Sequence, residues 1–163
     1  MSLAPLSRTS RMYETSDDQT RKRITQLSIF LENRLGALLG VTRVLEAQNI
    51  NICALSITDA ADHAVVRLVV DRPSLASASL QAEGYHILES ELLGVALPAA
   101  RVGGFRKVLA ALARAELNVH YVYAVVTQGP AGAVLALHIE DMDRAGRVLA
   151  ESGMTLVAQD ELR

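Results

Sequence analysis

Asn33, Gly36 and their neighbours form the part of the sequence best suited to bind a small molecule. Leu27, Ile29 and Leu31 alternate with other residues in the period-2 pattern of a strand, and apolar residues recur at helical spacing after Gly36. A polar turn separates the two patterns. The free backbone N–H groups at such a helix start, together with the positive end of the helix dipole, favour an anionic group. The stretch therefore predicts a strand–loop–helix site for a small carboxylate.

The same residues also have purely structural interpretations. Asn33 can cap the helix through its side-chain oxygen, a role that is compatible with ligand contact. Gly36 and the later Gly103 permit tight turns and close packing of a helix on a sheet without any ligand. Arg67 interrupts an apolar strand, where it either reaches solvent or clamps a carboxylate. Both interpretations stay open from the sequence alone.

A second group of candidate side chains lies at residues 120–123. Tyr121 and Tyr123 share one face of a predicted strand, where they either pack or line a ligand pocket with their hydroxyl groups. His120 is expected to point to the other face. His120 and Cys53 occupy equivalent places in the two halves of the chain (120 − 53 = 67), but two ligands are too few for zinc. No metal and no cofactor is predicted.

Composition narrows the class of protein. Half of the 163 residues are hydrophobic but only 4% are aromatic, which predicts an aliphatic core. A net charge of −2 gives no attraction to nucleic acid or to an anionic membrane, and no apolar run reaches the roughly 18 residues of a membrane span. The single cysteine fits a reducing cytoplasm. No nucleophile–base pair or carboxylate dyad is placed for catalysis, so no enzyme activity is predicted.

The elements around the candidate residues are predicted in the order βαββαβ, the split arrangement of a ferredoxin-like α+β sandwich. The predicted elements span residues 24–31, 36–47, 50–58, 63–71, 73–83 and 85–90. The strand at 50–58 is apolar on both faces, which predicts a central or doubly covered position.

An internal repeat then doubles this unit. Gly36 matches Gly103 at an offset of 103 − 36 = 67, and Gly84 matches Gly153 at 153 − 84 = 69. The second set of elements spans residues 91–98, 104–115, 117–127, 133–140, 142–152 and 154–159. We therefore predict a flexible N-terminal arm at 1–22, one unit at 23–90 and a second at 91–163. The short link between the units predicts that they lie side by side, each with helices on one face of an antiparallel sheet.

The segment LSIFLENRLGALLGVTRVLEAQNINICALSI resembles an ACT domain, a small regulatory module that binds amino acids. Asn33, Gly36 and Leu38 fit the pattern of its first loop, and Asn49–Ile52 fits the entry to its second strand. The second copy resembles the same domain more weakly, because Ala100 replaces the loop asparagine. Taken together, residues 24–160 look like a free-standing pair of ACT domains without an attached enzyme.

This resemblance implies a ligand at the interface between two units, held by the first loop of one and the second strand of the other. Leu31 stands where serine-sensing members have a histidine, so the resemblance does not imply serine as the ligand. The ligand-binding residues expected on this basis are Asn33, Leu35, Gly36, Ala37, Leu38, Gly103, His120, Tyr121, Val122 and Tyr123.

The sequence thus predicts a non-catalytic, cytoplasmic regulatory protein that binds a small amino acid. Exposed strand edges predict a homodimer, and neither nucleic acid nor membrane is an expected partner. The alternative is a regulatory subunit of a separate amino-acid biosynthetic enzyme, since small subunits of acetolactate synthase have a similar size and a similar N-terminal ACT segment.

Overall fold

The computed structural model describes residues 20–60, 62–97, 102–127 and 132–162, and it has the predicted α+β architecture. Its elements follow the order of two βαββαβ units that share one long strand. They are β1 Ile24–Glu32, α1 Ala37–Ala47, β2 Ile52–Ala60, β3 His63–Val70, α2 Pro73–Ala82, β4 Ile87–Leu97, α3 Gly104–Arg114, β5 Val119–Val125, β6 Ala133–Ile139, α4 Met142–Glu151 and β7 Leu156–Val157.

All strands belong to one antiparallel sheet in the order β2-β3-β1-β4-β6-β5, with β7 paired to β4. Residues 87–92 of β4 pair with β1, and residues 93–97 pair with β6. β4 is therefore the last strand of the first unit and the first strand of the second, without a break between them. The division of the chain at residue 90 stays a prediction; the pairing changes after Leu92.

The two helices of each unit cover one face of its half of the sheet. On β1, alternation places Leu27, Ile29 and Leu31 against α1 and α2, as the period-2 pattern predicts. The second unit buries an equivalent aliphatic core under α3 and α4, built around Leu93, Val95, Val108, Leu112, Leu137, Ile139, Leu149 and Leu156.

A third core lies on the sheet faces that carry no helices. It joins residues of both units: Ile24, Cys53, Ala54, Val69, Leu92, Val125, Val134, Ala136, Val157 and Leu162. The sheet curves so far that its two outermost strands meet, where the Val126 N–H donates to the Cys53 carbonyl at 2.8 Å. The units therefore face each other across their open sheet surfaces, and the helices lie outside.

One strand prediction is wrong. β2 is the outermost strand of the sheet, and it contacts β5 near its beginning. Leu55 and Ile57 keep 44% and 48% of their surface exposed, because β2 has a hydrogen-bonded neighbour in the sheet on one side only. The apolar residues on both faces of this strand predicted a central or doubly covered position, but Leu55 and Ile57 are apolar and remain exposed.

The repeat is visible in the backbone. Gly36 and Gly103 precede α1 and α3 with φ angles of 80° and 90°, a left-handed conformation that favours glycine. Asn49 and Glu116, again 67 residues apart, both have a φ of 55° just after those helices. The local conformation thus repeats even where the residue type does not.

The end of the second unit departs from the predicted strand at 154–159. β7 has only two residues, and a 3₁₀ helix at Gln159–Leu162 follows. The Gln159 N–H donates to the Arg23 carbonyl at 3.1 Å, and Lys22 lies 3.0 Å from Glu161. Residues 1–19 of the predicted arm lie outside the described residues, whereas Lys22 is bonded to the second unit.

Of the helices described, none is long and apolar enough to cross a membrane.

Candidate functional site

The first loop lies open at one end of β1. Asn33 is not the helix cap, because Gly36 occupies that position and makes no side-chain bond. The Asn33 amide donates instead to Asp59 at 3.3 Å, and Leu35 is fully exposed at the loop tip. Ala37 begins α1, one residue before Leu38, and both pack partly against the first core.

A cleft of about 750 Å³ lies beside this loop. Its walls come from the end of β1, the start of α1, the start of β3 and the turn after α2. It is lined by Phe30, Leu31, Glu32, Arg34, Ala37, His63, Glu83, Gly84, Tyr85 and His86. Among the residues predicted from the sequence, Ala37 lines this cleft, while Asn33, Leu35, Gly36 and Leu38 are its neighbours along the chain. The residues after α2 were missed because no local motif connects that turn with the first loop.

Opposite charges meet in this cleft. The Arg34 guanidinium lies 3.1 Å from the Glu32 carboxylate, and both side chains are exposed. Glu83 adds a second carboxylate from the turn after α2, and His63 stands opposite Glu32 in the β1–β3 register. A cation and two carboxylates in one cleft match the opposite charges of a zwitterion.

The second unit has a cleft at the equivalent place, with a volume of about 490 Å³. In the first unit the Phe30 N–H donates to the His86 carbonyl, and in the second the Ala96 N–H donates to the Thr155 carbonyl. Both clefts lie beside this bond and the start of the following helix, at Ala37 and Gly104. Gly103 is the N-cap residue of α3, and it lines a groove that adjoins this second cleft. Ala100 lies outside the described residues.

The two clefts differ in their chemistry. Gly40 leaves room for the Tyr85 hydroxyl, since a Cβ at Gly40 would lie 2.6 Å from that oxygen. The equivalent residues in the second unit are Lys107 (107 − 40 = 67) and Met154 (154 − 85 = 69), and both line the second cleft. Where the first unit has Tyr85 packed over Gly40, the second unit therefore has Met154 and Lys107.

The tyrosines of β5 lie in a different place from the first loop. The Tyr123 hydroxyl donates to the Gln26 side-chain oxygen at 2.8 Å, and the Gln26 amide donates to the Tyr121 hydroxyl at 2.9 Å. Gln26 precedes Asn33 by seven residues, which is about 20 Å along an extended strand. Val122 faces the other way and packs against the second core. Within one chain, the structure therefore does not bring the two predicted groups together.

An aromatic and basic cluster surrounds these tyrosines. The Arg67 guanidinium lies 4.6 Å from the centre of the Tyr121 ring, which stacks on His138 at 4.8 Å. The prediction that His120 points away is wrong, because a bulge between Val119 and Tyr121 brings its ring 5.3 Å from His138. Arg67 is half-buried, does not line the first cleft, and also donates to the Thr58 hydroxyl at 2.7 Å. Burial, followed by the neighbouring Tyr121, raises the pKa of Tyr123 well above its usual range.

The stability of the chain is expected to depend on pH through His138. Burial lowers the pKa of His138 below its ordinary value near 6.5, and His120 and Arg67 lower it further. The unfolded chain therefore binds a proton more readily, so this residue weakens the fold as pH falls through 6.5 toward the lowered pKa. Urea unfolding between pH 5 and 7.5 should show a smaller loss of stability at low pH in His138→Gln than in the unmodified chain. If the two chains lose the same stability at low pH, His138 does not cause the pH dependence.

Cys53 has the surroundings of a buried apolar residue. In the part of the chain that the structure describes, no group of three His, Cys, Asp or Glu side chains could hold an ion. Cys53 is buried in the third core, where burial and then Asp71 raise the pKa of its thiol. It behaves as a small apolar residue.

Known proteins share this fold along most of the chain. The family model for an ACT domain pair matches residues 22–163. The crystal structure of protein BT0572 from Bacteroides thetaiotaomicron is 32% identical with a TM-score of 0.78, covering 86% of this chain and 95% of that one. The ligand-free regulatory subunit of aspartate kinase from Thermus thermophilus is 17% identical with a TM-score of 0.55, covering 79% and 92%. Its counterpart from Thermus flavus is 15% identical with a TM-score of 0.51, covering 81% and 93%. No curated protein sequence is significantly similar to the chain.

Proposed function

Since the chain belongs to the family of ACT domain pairs, we propose that it is a non-catalytic regulatory protein that binds a small amino acid in the cleft of its first unit. The observation that carries this proposal is the meeting of opposite charges in that cleft. In this proposal Arg34 pairs with the ligand carboxylate, and Glu83 and Glu32 pair with its ammonium group. Phe30 and Tyr85 would contact the ligand side chain.

The cleft also explains how a ligand would regulate the protein. Its lining residues all come from the first unit, and the exposed Leu35 stands beside it at the loop tip. A second copy that covers Leu35 would close the cleft over the ligand, so binding and dimerisation would favour each other. Asn33 and Gly36 belong to the same loop, Leu38 lies in the first turn of α1, and all three stay in the proposed site. The homodimer stays a prediction.

Arg34→Gln and Glu83→Gln are expected to weaken amino-acid binding at least tenfold, because each leaves one ligand charge without its partner. Each of the twenty amino acids would be tested for a rise in melting temperature of the purified chain, and titration calorimetry would give the affinity of each hit. Arg43→Gln is the matched control, since Arg43 is exposed on α1 and does not line the cleft. Failure of every amino acid to raise the melting temperature would reject the proposal. Equal losses in the control would reject the assigned cleft.

A second candidate function is regulation of a separate enzyme. Two similar folds are regulatory subunits of aspartate kinase, and the likeness to them is one of fold alone. The test is to co-purify the tagged chain with any amino-acid biosynthetic enzyme of its own cells, and then to assay that enzyme with and without the chain. A change in activity that depends on an added amino acid would favour this function. Unchanged activity would reject it for that enzyme.

A further inference from the structure

The cleft of the second unit has one formal charge in its lining. It is bounded by Ala96, Leu97, Val102, Gly104, Lys107, Val108, Ser152, Gly153, Met154 and Thr155, of which Lys107 alone is charged. The positions that carry Glu83 and His86 in the first unit are Ser152 and Thr155 here, at the same offset of 69. The two clefts therefore share a place in the fold but not an electrostatic character.

Positive charge continues beyond this cleft. An adjoining groove of about 420 Å³ shares Val102, Lys107, Ser152 and Met154 with it, and adds Arg106 and Arg114. Among the residues that the structure describes, no carboxylate lines either space. Within the described ranges, no ion pair joins Arg106, Lys107 or Arg114 to an acidic side chain. Three cations without acidic partners along one helix attract an anion.

We propose that the second cleft binds a small organic acid that has a carboxylate and an apolar tail but no ammonium group, such as a 2-oxo acid. The Lys107 ammonium pairs with the carboxylate, and Leu97, Val102 and Met154 contact the tail. The volume of about 490 Å³ falls in the range of roughly 300–1,000 Å³ typical of small-molecule sites. This site is separate from the one proposed for amino acids, and it takes a different class of ligand.

The second cleft is expected to prefer a 2-oxo acid to an amino acid because none of its described lining residues is acidic. An amino acid in this cleft would place its ammonium group near the exposed Lys107 side chain, and none of the described lining residues has a carboxylate to offset the repulsion between these two like charges. A 2-oxo acid with the same tail avoids this repulsion because its oxo group is neutral.

The test compares matched ligand pairs by titration calorimetry on the full chain. Pyruvate, 3-methyl-2-oxobutanoate and 4-methyl-2-oxopentanoate are paired with alanine, valine and leucine, which have the same tails. We expect at least one 2-oxo acid to bind the Arg34→Gln chain at least tenfold more tightly than its amino acid. Using that variant reduces the contribution of the first cleft, and Lys107→Gln then separates binding in the second cleft from any that remains in the first.

Lys107→Gln should lower the affinity for the 2-oxo acid at least tenfold. Arg147→Gln should leave this affinity unchanged, because it makes the same change of charge at an exposed position of α4 outside the cleft. Lys107→Arg, which keeps the charge, should retain most of the affinity. The inference is overturned if no 2-oxo acid binds, if the amino acid binds equally well, if inorganic phosphate alone binds as tightly, or if Lys107→Gln binds normally.

Discussion

Replacing Gln26 by leucine is expected to lower the free energy of unfolding by about 3 kcal/mol, because it leaves several polar groups without partners at once. The Gln26 side chain is 1% exposed and accepts from Tyr123 at 2.8 Å. Its amide lies within hydrogen-bond distance of the Tyr121 hydroxyl at 2.9 Å, Ser90 at 3.0 Å and Ser28 at 3.1 Å. Leucine fills similar space but offers none of these bonds. Burial of the freed hydroxyl groups then opposes folding.

Urea unfolding of four chains would measure the effect: the unmodified chain, Gln26→Leu, Tyr123→Phe and the double variant. Tyr123→Phe alone should cost about 1 kcal/mol, and the double variant should cost less than the sum, since removing both partners leaves fewer groups unsatisfied. Gln81→Leu, an exposed glutamine on α2, is the matched control. A loss no greater than that of the control, or strictly additive losses, would show that the network contributes little.

This network joins the two units. Gln26 lies on β1 of the first unit, and both tyrosines lie on β5 of the second. A ligand that shifted the end of β1 would act on the strand that carries Gln26. The network is therefore one hydrogen-bonded connection between β1, at whose end the proposed amino-acid cleft lies, and the second unit. Gln26→Leu would test coupling through it in the same titrations.

The repeat made most of the fold predictable. Gly36 and Gly103 marked the two equivalent turns, and period-2 alternation placed Leu27, Ile29 and Leu31 on the buried face of β1. These features are local, so one stretch of sequence contains them. The edge position of β2 and the continuity of β4 depend on which strands pair, and local patterns do not specify pairing.

The lining of the candidate cleft could be predicted only in part for the same reason. The first loop does border a cleft, but Glu83, Tyr85 and His86 reach it from a turn about fifty residues later. The hydroxyl groups of Tyr121 and Tyr123 were one reason to predict a ligand pocket at this strand. The structure uses their hydroxyls to satisfy Gln26, so the same chemistry serves packing between units.

Gly94→Ala is expected to lower the free energy of unfolding by about 3 kcal/mol, because Gly94 sits where the two units and β7 crowd around β4. A Cβ at Gly94 would lie 2.4 Å from the Ile24 Cδ1 atom and 2.8 Å from the Val157 carbonyl oxygen. Ile24 can change its rotamer, but the Val157 carbonyl is backbone in the strand β7 that pairs with β4, so β7 itself has to move. For a chain of this size the loss corresponds to a fall in melting temperature of roughly 6–12 °C.

Gly104→Ala provides the matched control for this prediction. A Cβ there would meet Leu97 at an ordinary 3.5 Å, and Gly104 begins α3, where alanine is the better helix former. We expect the control to melt at or above the temperature of the unmodified chain. Adding Ile24→Val to Gly94→Ala removes only the side-chain clash, so it should restore part of the stability and not all of it. Full recovery would place the strain in Ile24 rather than in β7, and equal melting of Gly94→Ala and Gly104→Ala would show that β7 yields without cost.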